Sequence, residues 1–165
     1  MRFCVFDTET TGLPKGSRAP WFKHELWPHI VQMSWLVYDT EEGGIVEDKD
    51  RVIRINPEIE ITEKSIEKHG ITMEISQNSE YTMPGILKEF GNSISKCDVI
   101  IAHNITFDDN VIKCEFSRNG VYNYMDRYEG EKYCTMHKTK KLFGRWPKLM
   151  NLHKKLFNTK VGFHE

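Results

Sequence analysis

The chain has 165 residues, 39% hydrophobic and 28% charged, with a formal net charge of -1. That composition is of an ordinary globular protein, not of a low-complexity or fibrous one, and no apolar run approaches the ~20 residues that span a bilayer. The chain opens directly into a strand pattern, so a secretory leader is not expected. Cys4, Cys97, Cys114 and Cys134 lack Cys-x-x-Cys spacing, which favours buried free thiols in a reducing, intracellular (cytoplasmic) setting over zinc or disulfides.

The first predicted strand covers 2–8, where apolar Phe3 to Phe6 leads into Asp7-Thr8-Glu9-Thr10-Thr11-Gly12. Side chains two apart on a strand share a face, so Asp7 and Glu9 project together and Thr8 faces away. An irregular stretch from Pro14 to Pro28 follows, long enough to expect a function of it. Its Trp21, Phe22 and Trp27 offer ring faces on which bases stack, or else cover a sheet edge. A second strand at 30–38 alternates Ile30, Gln32, Ser34 and Leu36 with Val31, Met33, Trp35 and Val37. The turn Glu41-Glu42-Gly43-Gly44 makes a hairpin with a third strand at 45–55. Helices at 62–68 and 83–95, the latter with Pro84 in its first turn, precede a fourth strand at 98–102. A helix at 106–118 ends at Asn119-Gly120, and a strand at 131–134 and helices at 135–142 and 147–157 complete the pattern. A leading meander followed by βαβ units predicts an α/β fold, a five-stranded mixed sheet flanked by helices.

The fourth strand runs into His103-Asn104-Ile105-Thr106-Phe107-Asp108 and delivers Asp108 in the first turn of a helix. Carboxylates converging from two adjacent strand ends suit hard divalent cations, which take oxygen ligands. Two such ions held about 3.5–4 Å apart clamp both oxygens of an in-line phosphoryl displacement. Asp7, Glu9 and Asp108 are the candidate ligands for two Mg2+ or Mn2+ ions. Asp108 also complements the helix dipole, which keeps a carboxylate ionised, whereas Asp109 reads as a surface charge. The charge is uneven along the chain. From Lys132 to Lys160 there are nine Lys or Arg residues and no Asp or Glu, a candidate phosphate-tracking face or a set of solvated helix faces.

The two acidic segments together resemble the DEDD 3'-to-5' exonucleases, a superfamily that includes the proofreading epsilon subunit of bacterial DNA polymerase III. Pro28-His29-Ile30-Val31-Gln32, Asn56-Pro57 and His69-Gly70-Ile71-Thr72 fit the same pattern, so the resemblance covers nearly the whole chain. It implies a ribonuclease H-like fold and release of nucleoside 5'-monophosphates from single-stranded or frayed 3' ends, in replication proofreading or repair. In the His-type branch, DEDDh, the third motif is a histidine followed five positions later by a fourth carboxylate. Gly162-Phe163-His164-Glu165 resembles its start, so the expectation is one exonuclease-like domain over 1–165 that lacks its C-terminal end and cleaves weakly. By resemblance His164 is the general base that takes a proton from the attacking water, a task suited to a near-neutral pKa. Thr10 and Thr11 then meet the terminal sugar, Leu13 packs on the terminal base, and Asn104 hydrogen-bonds the substrate. Tyr122-x-x-x-Asp126 matches the Tyr-type third motif but comes too soon after Asp108. The implied partners are single-stranded nucleic acid with a 3' end, DNA favoured, and a DNA polymerase. The alternatives are an exoribonuclease and a nucleic-acid-binding module that kept the fold without its last ligand.

Overall fold

A computed structural model describes residues 1–16 and 18–158. Strands β1 (Arg2–Thr10), β2 (Ile30–Asp39), β3 (Gly44–Val52), β4 (Val99–Ala102) and β5 (Glu131–Cys134) form one sheet in the order β3-β2-β1-β4-β5. β1, β2 and β3 are an antiparallel meander, and β4 and β5 add in parallel to its β1 edge. The helices are α1 (Glu63–His69), α2 (Met73–Gln77), α3 (Met83–Ile94), α4 (Ile105–Arg118), α5 (Thr135–Lys138), α6 (Lys140–Phe143) and α7 (Leu149–Phe157). The predicted five-stranded mixed sheet flanked by helices is the observed one.

The alternation in the strands decides which face is packed. On β1 the inward set is Cys4, Phe6, Thr8 and Thr10, and on β2 it is Val31, Met33, Trp35 and Val37. Helices α3 and α4 cover this face with Ile86, Leu87, Phe90, Val111, Ile112 and Phe116, all buried. The Phe90 ring stands 5.4 Å from Phe6 and 5.5 Å from Trp35, in the tilted and edge-on arrangements that aromatic pairs prefer. The opposite face presents Val5, Asp7 and Glu9 of β1 beside Ser34 and Leu36 of β2. All four cysteines are buried thiols. Among the described residues no helix is long and apolar enough to cross a membrane.

Three elements differ from expectation, each for a local reason. β3 ends at Val52, not 55, because Ser76 takes over the backbone beyond it, accepting from the Ile55 N–H and donating to the Ile53 carbonyl. The helix expected at 135–142 is two single turns, broken where the Thr139 hydroxyl donates back to the Thr135 carbonyl at 2.6 Å. The short helix α2 was not expected; Thr72 caps it by accepting from the Ile75 N–H.

Candidate active site

β1 and α4 bring the two acidic segments together. Asp7 and Glu9 lie on the open face of β1, and Thr8 between them points inward. The positive-φ backbone of Asn104 (φ 67°), a conformation that asparagine tolerates, turns the chain from β4 into α4. That turn aims Asp108 at β1, where its Oδ1 accepts from the Thr8 N–H at 3.1 Å and the Thr8 hydroxyl at 2.7 Å.

The carboxylates repel one another and are short of compensating charge. Asp108 is only 3% exposed; burial, then the negative charge of Asp7, push it up to about 7 against the pull of the Thr8 bonds. Solvent reaches Asp7 along the open face, yet burial of its carboxyl group and the neighbouring Glu9 raise it to about 6. Burial raises Glu9 too, and Lys68 opposes the shift. Such a set of hard oxygen donors, held where their charges are disfavoured, fits the chemistry of a divalent cation. The three do not form one ready cluster, however. Among the described residues no group of three or more His, Cys, Asp or Glu side chains is spaced to hold a metal. The reason is Thr8, which holds the Asp108 carboxylate on the packed side of the strand while Asp7 and Glu9 face the open side.

Glu9 lines a cavity of about 380 Å³ together with Thr10, Leu13, Lys68, His69 and Phe107. Leu13 is 71% exposed there, as a side chain awaiting an apolar partner would be. Thr10 lines the same cavity, but its hydroxyl is spent on the Gly12 carbonyl, and Thr11 accepts from the His29 N–H. Both threonine hydroxyls, expected at the substrate sugar, also brace the turn, Thr10 by donating and Thr11 by accepting, which leaves Thr10 acceptor and Thr11 donor capacity. Helix α1 is fastened to this turn at both ends. The Thr62 N–H donates to the Thr11 carbonyl, and at the last residue of α1, just before the left-handed Gly70 cap, the His69 Nε2 donates to the Thr10 carbonyl at 3.2 Å. His103 is held on both nitrogens, Nε2 donating to the Pro147 carbonyl and Nδ1 accepting from Thr135. His164 lies outside the described residues.

Asp126 is exposed and its N–H donates to the Asn123 carboxamide oxygen at 3.1 Å; it follows Met125, whose carbonyl takes the same Lys132 that binds Asp109. The basic segment is also partly consumed. Lys132 is bound to Asp109, while Lys138, Lys140 and Lys155 lie over the rings of Tyr133, Trp146 and Phe143.

The family model described as Exonuclease (RNase_T) matches residues 4–165. The chain belongs to this exonuclease family. A comparison with curated proteins gives no match. Among solved structures, the exonuclease domain is similar to a product-bound exonuclease I, with a TM-score of 0.76 and 15% identity over 99% of this chain and 40% of that one. It is similar also to E. coli exonuclease I in complex with a dT13 oligonucleotide, at a TM-score of 0.69 and 16% identity over 86% of this chain and 29% of that one. A zinc-bound form of the E. coli exonuclease I complex with single-stranded DNA matches equally well, at a TM-score of 0.69, 16% identity and the same 86% and 29% coverage. The chain spans well under half the length of these proteins, and at such identity the likeness is one of fold.

Two groups of site residues escaped sequence reasoning. Lys68 is one helical turn beyond Lys64 on α1, a spacing that aligns both with the cavity they line. Arg118 and Glu115, an i, i+3 pair at the end of α4, anchor the Pro14–Pro28 connection. The Arg118 guanidinium donates to the carbonyls of His24 (2.7 Å), Trp27 (3.0 Å) and Pro28 (3.3 Å), and to the buried Glu115. The readable signal was the pair itself, but nothing local named its distant partners.

Proposed function

We propose that the chain is a 3'-to-5' exonuclease domain of the His-type DEDD branch, removing nucleoside 5'-monophosphates from single-stranded or frayed 3' ends, DNA favoured. The observation that carries this reading is the juxtaposition of Glu9, with Asp7 two residues before it on the same open face of β1, and a cavity of about 380 Å³ lined by Leu13 and Phe107. Bound Mg2+ or Mn2+ would polarise the scissile phosphodiester, activate water and stabilise the departing 3' oxygen. Asp7, Glu9 and Asp108 are the residues to hold such ions, Asp108 after exchanging its Thr8 bonds. Leu13 and Phe107 grip the terminal base, so that the phosphate on its 5' side falls beside Glu9. Lys64 and Lys68 offset phosphate charge at the cavity wall, and His164 is assigned to receive the proton of the attacking water. The dT13 and dA16 oligonucleotides bound by E. coli exonuclease I, whose fold this chain shares, support a strand as the substrate.

The engagement of Asp108 by Thr8 favours a second reading, a domain that grips a 3' end and cleaves it slowly. One assay addresses both. The chain is incubated with Mg2+ or Mn2+ and a 5'-labelled single strand, in deoxy and ribo versions, and products are resolved on a gel. Stepwise shortening with nucleoside 5'-monophosphates released supports the exonuclease reading. Stable binding without shortening supports the second, and cleavage inside the strand or from its 5' end contradicts both.

A further inference from the structure

We propose that Lys64, Ser65 and Lys68 of α1 bind a phosphate on the 3' side of the terminal nucleotide, so that strands ending in a 3'-phosphomonoester are substrates of this domain. The inference rests on the exonuclease reading above. The cavity beside Glu9 is divided chemically: Leu13 and Phe107 make one part of its lining apolar, and α1 supplies Lys64, Ser65 and Lys68 to another. A base held by the apolar part leaves its sugar to the polar part. The scissile phosphate, on the 5' side, falls beside Glu9, and the 3' oxygen is then the group left to face the lysines. A bare 3'-hydroxyl is neutral and gives two ammonium groups nothing to neutralise. A terminal phosphomonoester carries close to two negative charges above pH 7 and three acceptor oxygens.

The donors on α1 are not engaged elsewhere. Lys64 and Lys68 are exposed, and among the described residues neither forms a salt bridge or lies over a ring, unlike Lys132, Lys138, Lys140 and Lys155. Like charges four residues apart destabilise a helix, so the pair works against α1 unless an anion lies between its members. Lys68 is close enough to pull Glu9 down against its burial, so its charge is felt at the carboxylates of β1. The Thr62 hydroxyl donates to Ser65 Oγ at 2.9 Å, which leaves the Ser65 proton for an acceptor in the cavity. His69 adds no charge: its Nδ1 accepts from the Ile71 N–H at 3.0 Å and its Nε2 donates to the Thr10 carbonyl, which is the neutral ring. Two cations and one hydroxyl donor are a set suited to a phosphate. In the reaction, the oxygen of water bonds to the phosphorus on the 5' side of the terminal nucleotide. The bond from that phosphorus to the preceding 3' oxygen breaks, and this oxygen takes a proton. The products are a nucleoside 3',5'-bisphosphate and a shortened strand with an ordinary 3'-hydroxyl.

The test compares thymidine 3',5'-bisphosphate with thymidine 5'-monophosphate by calorimetry in Ca2+, and 5'-labelled strands ending in 3'-phosphate or 3'-hydroxyl on a gel in Mg2+. The bisphosphate should bind the unaltered protein about 10-fold more tightly or better, as expected of hydrogen bonds to a charged group. Combining Lys64→Gln with Lys68→Gln should bring the two affinities together, and Lys68→Arg alone should keep them apart. Lys88→Gln, on α3, should leave their ratio as it was. The 3'-phosphorylated strand should be shortened at least as fast as the 3'-hydroxyl one, with the bisphosphate as its first product. If the double variant weakens both nucleotides equally, the lysines serve the 5' phosphate and the proposal is overturned. It is overturned also if the bisphosphate binds no better than the monophosphate, or if a 3'-phosphate blocks shortening; in each case, shortening of the 3'-hydroxyl strand upholds the exonuclease reading. A chain that binds neither nucleotide and shortens neither strand contradicts the exonuclease reading, and the proposal falls with it.

Discussion

Asp108 and Asp109 are adjacent on one helix and have opposite surroundings. Asp109 is bridged by Lys113 at 2.9 Å and Lys132 at 2.7 Å, so the chain supplies its counter-charge twice over. Among the described residues Asp108 receives hydroxyl and amide donors from Thr8 but no cation, and the charge that acts on it is another carboxylate, Asp7. An acid buried without a partner is costly to keep ionised, and its persistence beside Asp7 and Glu9 makes sense if the partner comes from outside the chain. The difference separates an acid neutralised within the fold from one that the exonuclease reading assigns to an outside cation, more sharply than exposure or position on the helix does.

The largest expected contrast between the two acids is in cleavage. Asp108→Ala should reduce strand shortening by more than about 100-fold, since even partners of metal ligands are worth 10–100-fold, whereas Asp109→Ala should leave it within about twofold. Equal losses in the two variants, measured on the same labelled strand, would erase the distinction.

Next comes the anchor at the far end of the same helix. Glu115 is 1% exposed and carries Arg118, the clasp of the Pro14–Pro28 connection. Breaking a buried pair by removing one partner leaves an uncompensated charge, so Glu115→Ala should cost about 3–5 kcal/mol in chemical denaturation. A loss below about 1 kcal/mol would mean that the loop is not held through this residue.

Acidity should affect the two sites in different ways. Asp7 and Asp108 are held up to about 6 and 7 in the fold, against an ordinary 3.8. Between about pH 4 and 7 the folded chain therefore binds protons that the unfolded chain has released, and stability falls as pH rises through this window. Without divalent ions, Asp108→Asn should raise the melting temperature at pH 8 and have little effect near pH 4; a larger gain at pH 4 would reverse the assigned sign. The smallest effect is expected from Asp109→Asn, about 1 kcal/mol or less, because partly exposed ion pairs contribute little.

Much of this was legible in the chain because the relevant rules are local. Alternation placed β2, continuous apolar runs placed β1 and β4, the Glu41–Gly44 turn placed β3, and the polar turn after Val99 to Ala102 placed the helix carrying Asp108. Resemblance supplied the pairing of the two acidic segments, and the fold brings them to one strand. What was not legible depends on partners far away in sequence. Ser76 shortens β3 from 21 residues beyond Ile55, and Thr8 takes hold of Asp108 across 100 residues. The same holds for the threonines after Glu9. Their hydroxyls looked available in sequence, and only the folded turn shows Thr10 committed to Gly12 and Thr11 to His29.

The central claim is that Asp7, Glu9 and Asp108 form a divalent-cation site while Asp109 does not. Titration with Mn2+ followed by electron paramagnetic resonance at pH 8 tests it without depending on turnover. The account predicts that the unaltered chain and Asp109→Asn bind Mn2+ alike, and that Asp7→Asn and Asp108→Asn each weaken binding at least 10-fold. Undiminished Mn2+ binding in Asp7→Asn and Asp108→Asn would contradict it.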